Sequence, residues 1–472
     1  MLEHILKFSI ERSRLILVLV IVVALLGLYN FTKLPIDAVP DITNVQVVIN
    51  TEAAGYTPLE VEQRITYPLE TVLAGLPNLQ YTRSVSRYGL SQVIAVFSDD
   101  TDIYFARQLV GEKLSSARSA LPLGIQPELG PISTGLGEIF MFTVDAAPDA
   151  KTVDGKNITA TELRTVHDWI IRPQLMQVEG VVEVNPIGGF DREILVAISP
   201  EKLLAHGLTQ QDVIRAIGEH NQNRGAGFIE RNGAQYLVRL PGQLQDLQQL
   251  ANVVIATQSG QMLKIKDVAQ VKEGKELRSG AATQNGKEVV LSTVFMLIGE
   301  NSQKVAKDVG ARLAEINKTL PSGITASAVY DRTKLVNNTL TTVETNLMEG
   351  AILVIVILFV VLGNVRAALL TAAVIPFAML MTITGMVQTK TSANLMSLGA
   401  LDFGLLVDGA IIIVENCMRR LSQVSNGQVL PVKERLHLVF EATREVIRPA
   451  MFGVCIITAV YLPIFALSGV EG

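Results

Sequence analysis

The sequence predicts an α+β membrane protein, a transmembrane helical bundle of five spans that carries a large exported domain built from β-α-β units. Three observations lead there. Apolar stretches of bilayer length are unevenly spaced, one near the N-terminus and four close together after residue 338. A motif in the polar region between them recurs 105 positions later. One of the apolar stretches is interrupted by carboxylates, which a passive anchor has no reason to bury.

Residues 15–31, 351–363 extended back to about 343, 367–387, 395–414 and 449–467 each approach the roughly 20 apolar residues that a spanning helix needs. Lys7, Arg12 and Arg14 precede the first span, Arg366 sits between the second and third, and Arg419, Arg420, Lys433, Arg435, Arg444 and Arg448 cluster between the fourth and fifth. With basic loops inside, the polar region lies on the outer side. The first span lacks a following small-residue cleavage site, so it is expected to remain as an anchor.

Within the exported region Val61, Ile65, Pro68, Gly75 and Leu76 match Val166, Ile170, Pro173, Gly180 and Val181, each 105 positions later. Each set leads through a polar turn to a β-like run, VIAVF from Val93 and EILVAI from Glu193. A helix-then-strand unit used twice is the natural reading. Asn232-Gly233 between alternating runs (residues 227–239) is a strong hairpin signal. That hairpin is either an ordinary surface feature or an arm that reaches a neighbouring subunit.

Composition excludes several functions. The only cysteines, Cys417 and Cys455, lie outside the exported region, so its stability rests on its core. A net charge of −5 with no basic patch argues against nucleic acid. The five histidines, His4, His167, His206, His220 and His437, are dispersed, with no paired spacing for zinc. The nearest approach to a phosphate loop, at 280–287, is followed by Glu288 where a magnesium-binding Ser or Thr is required. No nucleophile elbow or Cys-His pair is present, so the chain is not expected to be an enzyme and no cofactor is expected.

The informative residues are Asp402, Asp408 and Glu415, in NLMSLGALDFGLLVDGAIIIVENCMRR (394–420). An acid at mid-membrane costs roughly 2.5–3.5 kcal/mol on insertion scales. At about 100° per residue Asp408 and Glu415 share a stripe, whereas Asp402 lies about 120° away, so at least one aspartate faces a neighbouring helix. Glu415 lies close to the membrane exit marked by Asn416, Arg419 and Arg420. The pattern points to ion coupling.

LDFGLLVDGAIIIVEN resembles the fourth-helix signature of the heavy-metal efflux branch of the resistance-nodulation-division (RND) superfamily, of the divalent-cation (zinc, cobalt, cadmium, nickel) type, and the layout is similar over the whole chain. Asp408 is followed by Gly409, whereas multidrug members resemble VDD there; copper and silver exporters usually lack an acid at the position of Asp402. PIDAVPD (35–41) is also similar to the segment by which this superfamily leaves its first helix. The resemblance implies a secondary active transporter, a cation/proton antiporter of the bacterial inner membrane, multi-pass, with the proton gradient as energy source and a divalent metal cation as substrate. Asp402, Asp408 and Glu415 would be its proton relay.

The implied organisation is an N-terminal segment and first transmembrane helix (1–37), a first porter subdomain (38–133), a second (134–181 and 274–335), a docking insertion (182–273) and helices two to five (336–472). Implied partners are two further copies in a homotrimer, a periplasmic adaptor, an outer-membrane channel and membrane lipid. Superfamily members run to about twice this length, so a complementary C-terminal half is expected as well. Glu138 follows Gly135-Leu136-Gly137 where the first porter unit passes to the second, and its carboxylate is the candidate metal ligand. The alternative for Glu138 is a surface acid at a strand start. Asp99, Asp100 and Asp102 read as a solvated turn, with an entry vestibule as the alternative. Competing functions are a multidrug or lipid exporter of the same superfamily, or a non-transporting, membrane-anchored periplasmic scaffold.

Overall fold

The computed structural model describes residues 2–34, 37, 43–152, 155–258, 261–278, 280–389, 393, 403–425 and 431–463. Helix α1 (Leu2–Glu11) turns into α2 (Ser13–Phe31), whose side chains are almost all exposed. Its one buried residue is Gly27. A Cβ there would stand 2.6 Å from that of Leu380, so the missing side chain is what allows α2 to meet a later helix closely.

The first exported unit runs β1 (Gln46–Glu52), α3 (Pro58–Val61), α4 (Tyr67–Leu73), β2 (Leu79–Arg87), β3 (Leu90–Phe97), α5 (Ile103–Ala117) and β4 (Pro127–Leu129). Its antiparallel sheet has the order β2-β3-β1-β4, and Ile49, Val93 and Phe97 pack fully buried against Ile65, Leu69 and Val110. Between α3 and α4 a π-turn spans Glu62–Thr66, where Tyr67 N–H donates to Glu62 O. Pro68 follows directly and has no N–H to give its preceding turn, so the helix widens where a bond is already lost.

The second unit repeats this. It comprises β5 (Glu138–Ala146), α6 (Ala160–Val166), a π-turn (His167–Ile171), α7 (Arg172–Leu175) and β6 (Val181–Ile187), and resumes later in the chain. Arg172 N–H donates to His167 O just before Pro173; Gly75 follows the end of α4 at φ 80°, whereas Gly180, past the end of α7 at Leu175, turns the chain into β6 at φ 84°. Both left-handed positions suit glycine. The periodic match in the sequence is thus a match of backbone irregularities.

The chain then leaves the sheet at Gly188-Gly189 and forms a separate insertion. In it β7 (Arg192–Ile198) is followed by α8 (Pro200–Ala205), α9 (Gln210–His220), β8 (Arg224–Arg231), β9 (Ala234–Leu240), α10 (Leu247–Ala251), β10 (Val254–Gln258), β11 (Gln261–Lys264), α11 (Ile265–Val268) and β12 (Ala269–Lys275). β7 pairs with β12, β10 with β11, and β8 with β9. The β8-β9 hairpin turns through Asn232 and Gly233, both at positive φ, and every residue of β9 is exposed.

The second sheet is completed by β13 (Ala282–Gln284), β14 (Lys287–Met296), α12 (Ser302–Asn317) and β15 (Ile324–Asp331). Its order, β6-β14-β5-β15 with β13 also on β14, mirrors that of the first sheet. The counterpart of β3 is therefore β14. EILVAI, expected from the sequence to hold that place, lies instead in β7 on the insertion. The reason is that the short β2-β3 turn of unit one is replaced in unit two by the whole excursion from β6 to β13. The expected boundary at 181/182 falls inside β6, whose pairing with β14 keeps residues 181–187 in the second sheet.

From β15 the chain passes without a connector into α13 (Arg332–Leu362), 31 residues long. Gly363, left-handed at φ 61°, stops it, and Asn364 caps α14 (Val365–Ala372) by accepting from Arg366 and Ala367 N–H. Helix α15 (Val374–Thr389), α16 (Phe403–Ser425) and α17 (Val432–Tyr461) follow. Among the described residues, two helical stretches, Ser13–Phe31 and Val365–Thr389, are long and apolar enough to cross a bilayer.

Candidate functional site

Helix α16 carries two of the three acids that the sequence singled out, Asp408 and Glu415. Val407 is fully buried against Leu358 of α13, Ala368 and Ala372 of α14, and Ile375 of α15. One residue on, and about 100° round the axis, Asp408 is exposed. Ile412, Glu415 and Arg419 continue that open stripe, so the helix buries one face among its neighbours and leaves the acidic one free of the described helices. Asp408 and Glu415 do share a face. Asp402 lies outside the described residues.

The other end of α16 is fixed. Asn416 is buried and donates through Nδ2 to Ala442 O at 2.7 Å and to Glu445 at 3.3 Å, while Arg420 pairs with Glu445 at 2.8 Å. Cys417 Sγ lies 3.4 Å from Thr443 Oγ1. An amide that satisfies a helix carbonyl where water is scarce pins α16 to α17 in one register. Sequence reading took Asn416 only as a boundary mark. Its position one residue after Glu415, about 100° round the helix from that acid, was the available signal.

Glu138 closes a short 3-10 turn (Gly135–Gly137) and begins β5, half-buried and opposite Phe295 of β14. Gly130 N–H donates to Val48 O in the first sheet, and Ile298 N–H to Ile132 O. The carboxylate therefore stands where the chain crosses between sheets, as its sequence position suggested. Among the described residues no three His, Cys, Asp or Glu side chains gather to hold a metal. Asp102 has a structural duty: it caps α5 by accepting from Phe105 N–H at 2.9 Å.

One titratable group had no sequence signal beyond its presence. His167, in the second π-turn, is fully buried beneath Phe142, with Asp168 on Nδ1 at 2.7 Å and Ser292 Oγ on Nε2 at 2.8 Å. Burial pushes the imidazole below its ordinary value, although the Asp168 hydrogen bond partly opposes this. Asp168 is in turn held by Arg164 at 2.6 Å and is shifted below the usual carboxylate range by its bonds to His167 and Arg164, which outweigh its burial. A neutral imidazole fits this arrangement, donating to Asp168 and accepting from the Ser292 hydroxyl.

The fold and the acidic helix can be set beside known proteins. The AcrB/AcrD/AcrF family pattern matches residues 5–472. The chain belongs to that family. Within the family, the cobalt-zinc-cadmium resistance protein CzcA of Cupriavidus metallidurans is 57% identical over 474 residues, covering 100% of this chain and 45% of that protein. The nickel-cobalt-cadmium resistance protein NccA of Alcaligenes xylosoxydans xylosoxydans is 44% identical over 498 residues, covering 100% of this chain and 46% of that protein. A crystal structure of a heavy metal efflux pump superposes with a TM-score of 0.86 at 32% identity, covering 99% of this chain and 45% of that one. The chain thus spans about half the length of these relatives, and it has their α+β fold.

Proposed function

We propose that this chain forms part of a proton-driven exporter of divalent heavy-metal cations in the inner membrane, with zinc, cobalt and cadmium as the first cargoes to test. The observation that carries the reading is the acidic stripe of α16: Asp408 and Glu415 sit seven residues apart on a face that the described helices leave open, while the opposite face is packed. Burying such acids in a bilayer without a partner or a proton is costly, which favours a working role over an anchoring one. In this reading the five apolar helical regions cross the membrane and the two β-α-β units form the porter on the outer side. Asp402 joins Asp408 in exchanging protons, Glu415 serves near the cytoplasmic exit, and Glu138 touches cargo as it passes between the sheets.

The assembly proposed is a homotrimer that engages a periplasmic adaptor and an outer-membrane channel. The β8-β9 hairpin supports an interprotomer arm, because a two-stranded ribbon with Phe228, Tyr236 and Leu237 all exposed has little to stabilise it alone. The decisive test is Asp408→Asn in a pump containing this chain, expressed in cells without their own exporters. Loss of zinc resistance at unchanged protein level is expected, since the amide keeps shape but carries no exchangeable acid proton. Resistance equal to wild type would remove Asp408 from the relay.

A further inference from the structure

A buried ion pair joins two segments that are 295 positions apart. Arg332 is the first residue of α13, and its side chain is only 6% exposed. Its Nη2 lies 2.7 Å and its Nε 3.2 Å from Asp37 Oδ1, and Asp37 is 21% exposed. Asp37 belongs to the stretch that leaves α2, and its own N–H donates to Ala393 O at 3.0 Å, beyond the end of α15. Close by, Leu34 packs with Ile383 of α15 and Ala393. The exit of α2, the head of α13 and the segment that follows α15 thus meet at one guanidinium-carboxylate contact.

What lies on either side gives the contact its meaning. Above it, β15 is hydrogen-bonded to β5, the strand that Glu138 begins, and runs into α13 with no flexible residue between them. Below it, α13 is a rod about 46 Å long at 1.5 Å per residue. Leu358 of that rod packs in the cluster that contains Val407, the neighbour of Asp408. A rigid strand-helix lever can pass movement only if its bearing does not slip. A two-donor arginine contact buried from water is directional, and removing one partner would leave a charge uncompensated.

We propose that Arg332 and Asp37 are positioning residues for transport: their pair is the bearing that holds the head of α13 against the exits of α2 and α15, so that protonation on α16 and rearrangement of the second exported sheet occur together. The inference rests on the transport reading above. It adds that the coupling passes through this joint and α13.

The test uses the whole pump in proteoliposomes, with zinc-dependent proton flux measured against zinc concentration and normalised to the amount of folded pump. Arg332→Gln and Asp37→Asn are each expected to lower the maximal rate about tenfold or more while the zinc concentration at half-maximal rate changes less than twofold. The exchanged pair, Asp37→Arg with Arg332→Asp, is expected to recover to within about threefold of wild type, which also covers the case in which either single variant folds poorly. Unchanged maximal rates in both single variants, a change confined to the half-maximal concentration, or an exchanged pair no better than the single variants would each overturn the joint. Absence of zinc-dependent flux in the wild-type pump would instead refute the transport reading, and is seen before any variant is made.

Discussion

His167 offers a prediction whose sign and size both follow from its surroundings. The folded unit holds the imidazole neutral, because burial depresses its pKa by more than the Asp168 bond restores. The unfolded chain titrates near the ordinary value of about 6.5. Below that pH the unfolded state binds a proton that the folded state refuses, so stability is complete above about 6.5 and declines as pH falls toward the folded-state pKa. Between pH 7.5 and 5.5 the loss from this one site is at most about 1.4 kcal/mol, one tenfold change in the local equilibrium. The lowered pKa of Asp168 acts in a more acidic range, below its ordinary carboxylate value, and does not mask the effect. His167→Gln keeps polar contacts to Asp168 and Ser292 but cannot titrate; it should cost about 1–3 kcal/mol at neutral pH by leaving those partners imperfectly bonded. Hydrogen exchange of the buried amides of Phe140 and Phe142, followed against pH in both proteins, reads the difference directly. Wild-type protection should fall relative to the variant as pH drops from 7.5 to 5.5. Parallel curves would refute the neutral, buried imidazole.

In the proposed relay, Asp402→Asn should abolish zinc-driven proton uptake by pump-containing vesicles as Asp408→Asn does, whereas Glu415→Gln, near the solvated end of the stripe, should retain part of it; a fully active Asp402→Asn would return that residue to a structural role. Glu138→Gln should weaken zinc binding by about tenfold or more in calorimetry, without altering proton uptake in the absence of metal, and unchanged affinity would remove Glu138 from the cargo path. Gly27→Val should destabilise the α2-α15 contact by about 1–3 kcal/mol through overpacking against Leu380. Limited proteolysis of the variant should cut the helical region faster than in wild type, and equal rates would show that α2 can shift aside.

What could be read from the chain alone were features whose cause is local. Pro68 and Pro173 each act on the turn of helix around them, and Gly75 and Gly180 on the reversal that follows, so the repeat of the exported units was visible as spacing. The Asn232-Gly233 turn announces its hairpin for the same reason, since two adjacent residues at positive φ suffice to reverse a strand. Asp402, Asp408 and Glu415 were conspicuous because the cost of an acid in an apolar helix does not depend on which helices surround it. Tertiary structure decided whatever depends on a distant partner. The place of β3 in unit two passed to β14 because strand pairing follows the sheet, and an insertion had moved the partner far along the chain. Asn416 and His167 became meaningful only when Ala442 and Ser292 were brought to them. The pairing of Arg332 with Asp37 has no periodicity or spacing to betray it, because a contact across 295 positions is chosen by how the sheets and helices pack, and not by anything either residue imposes on its own neighbours.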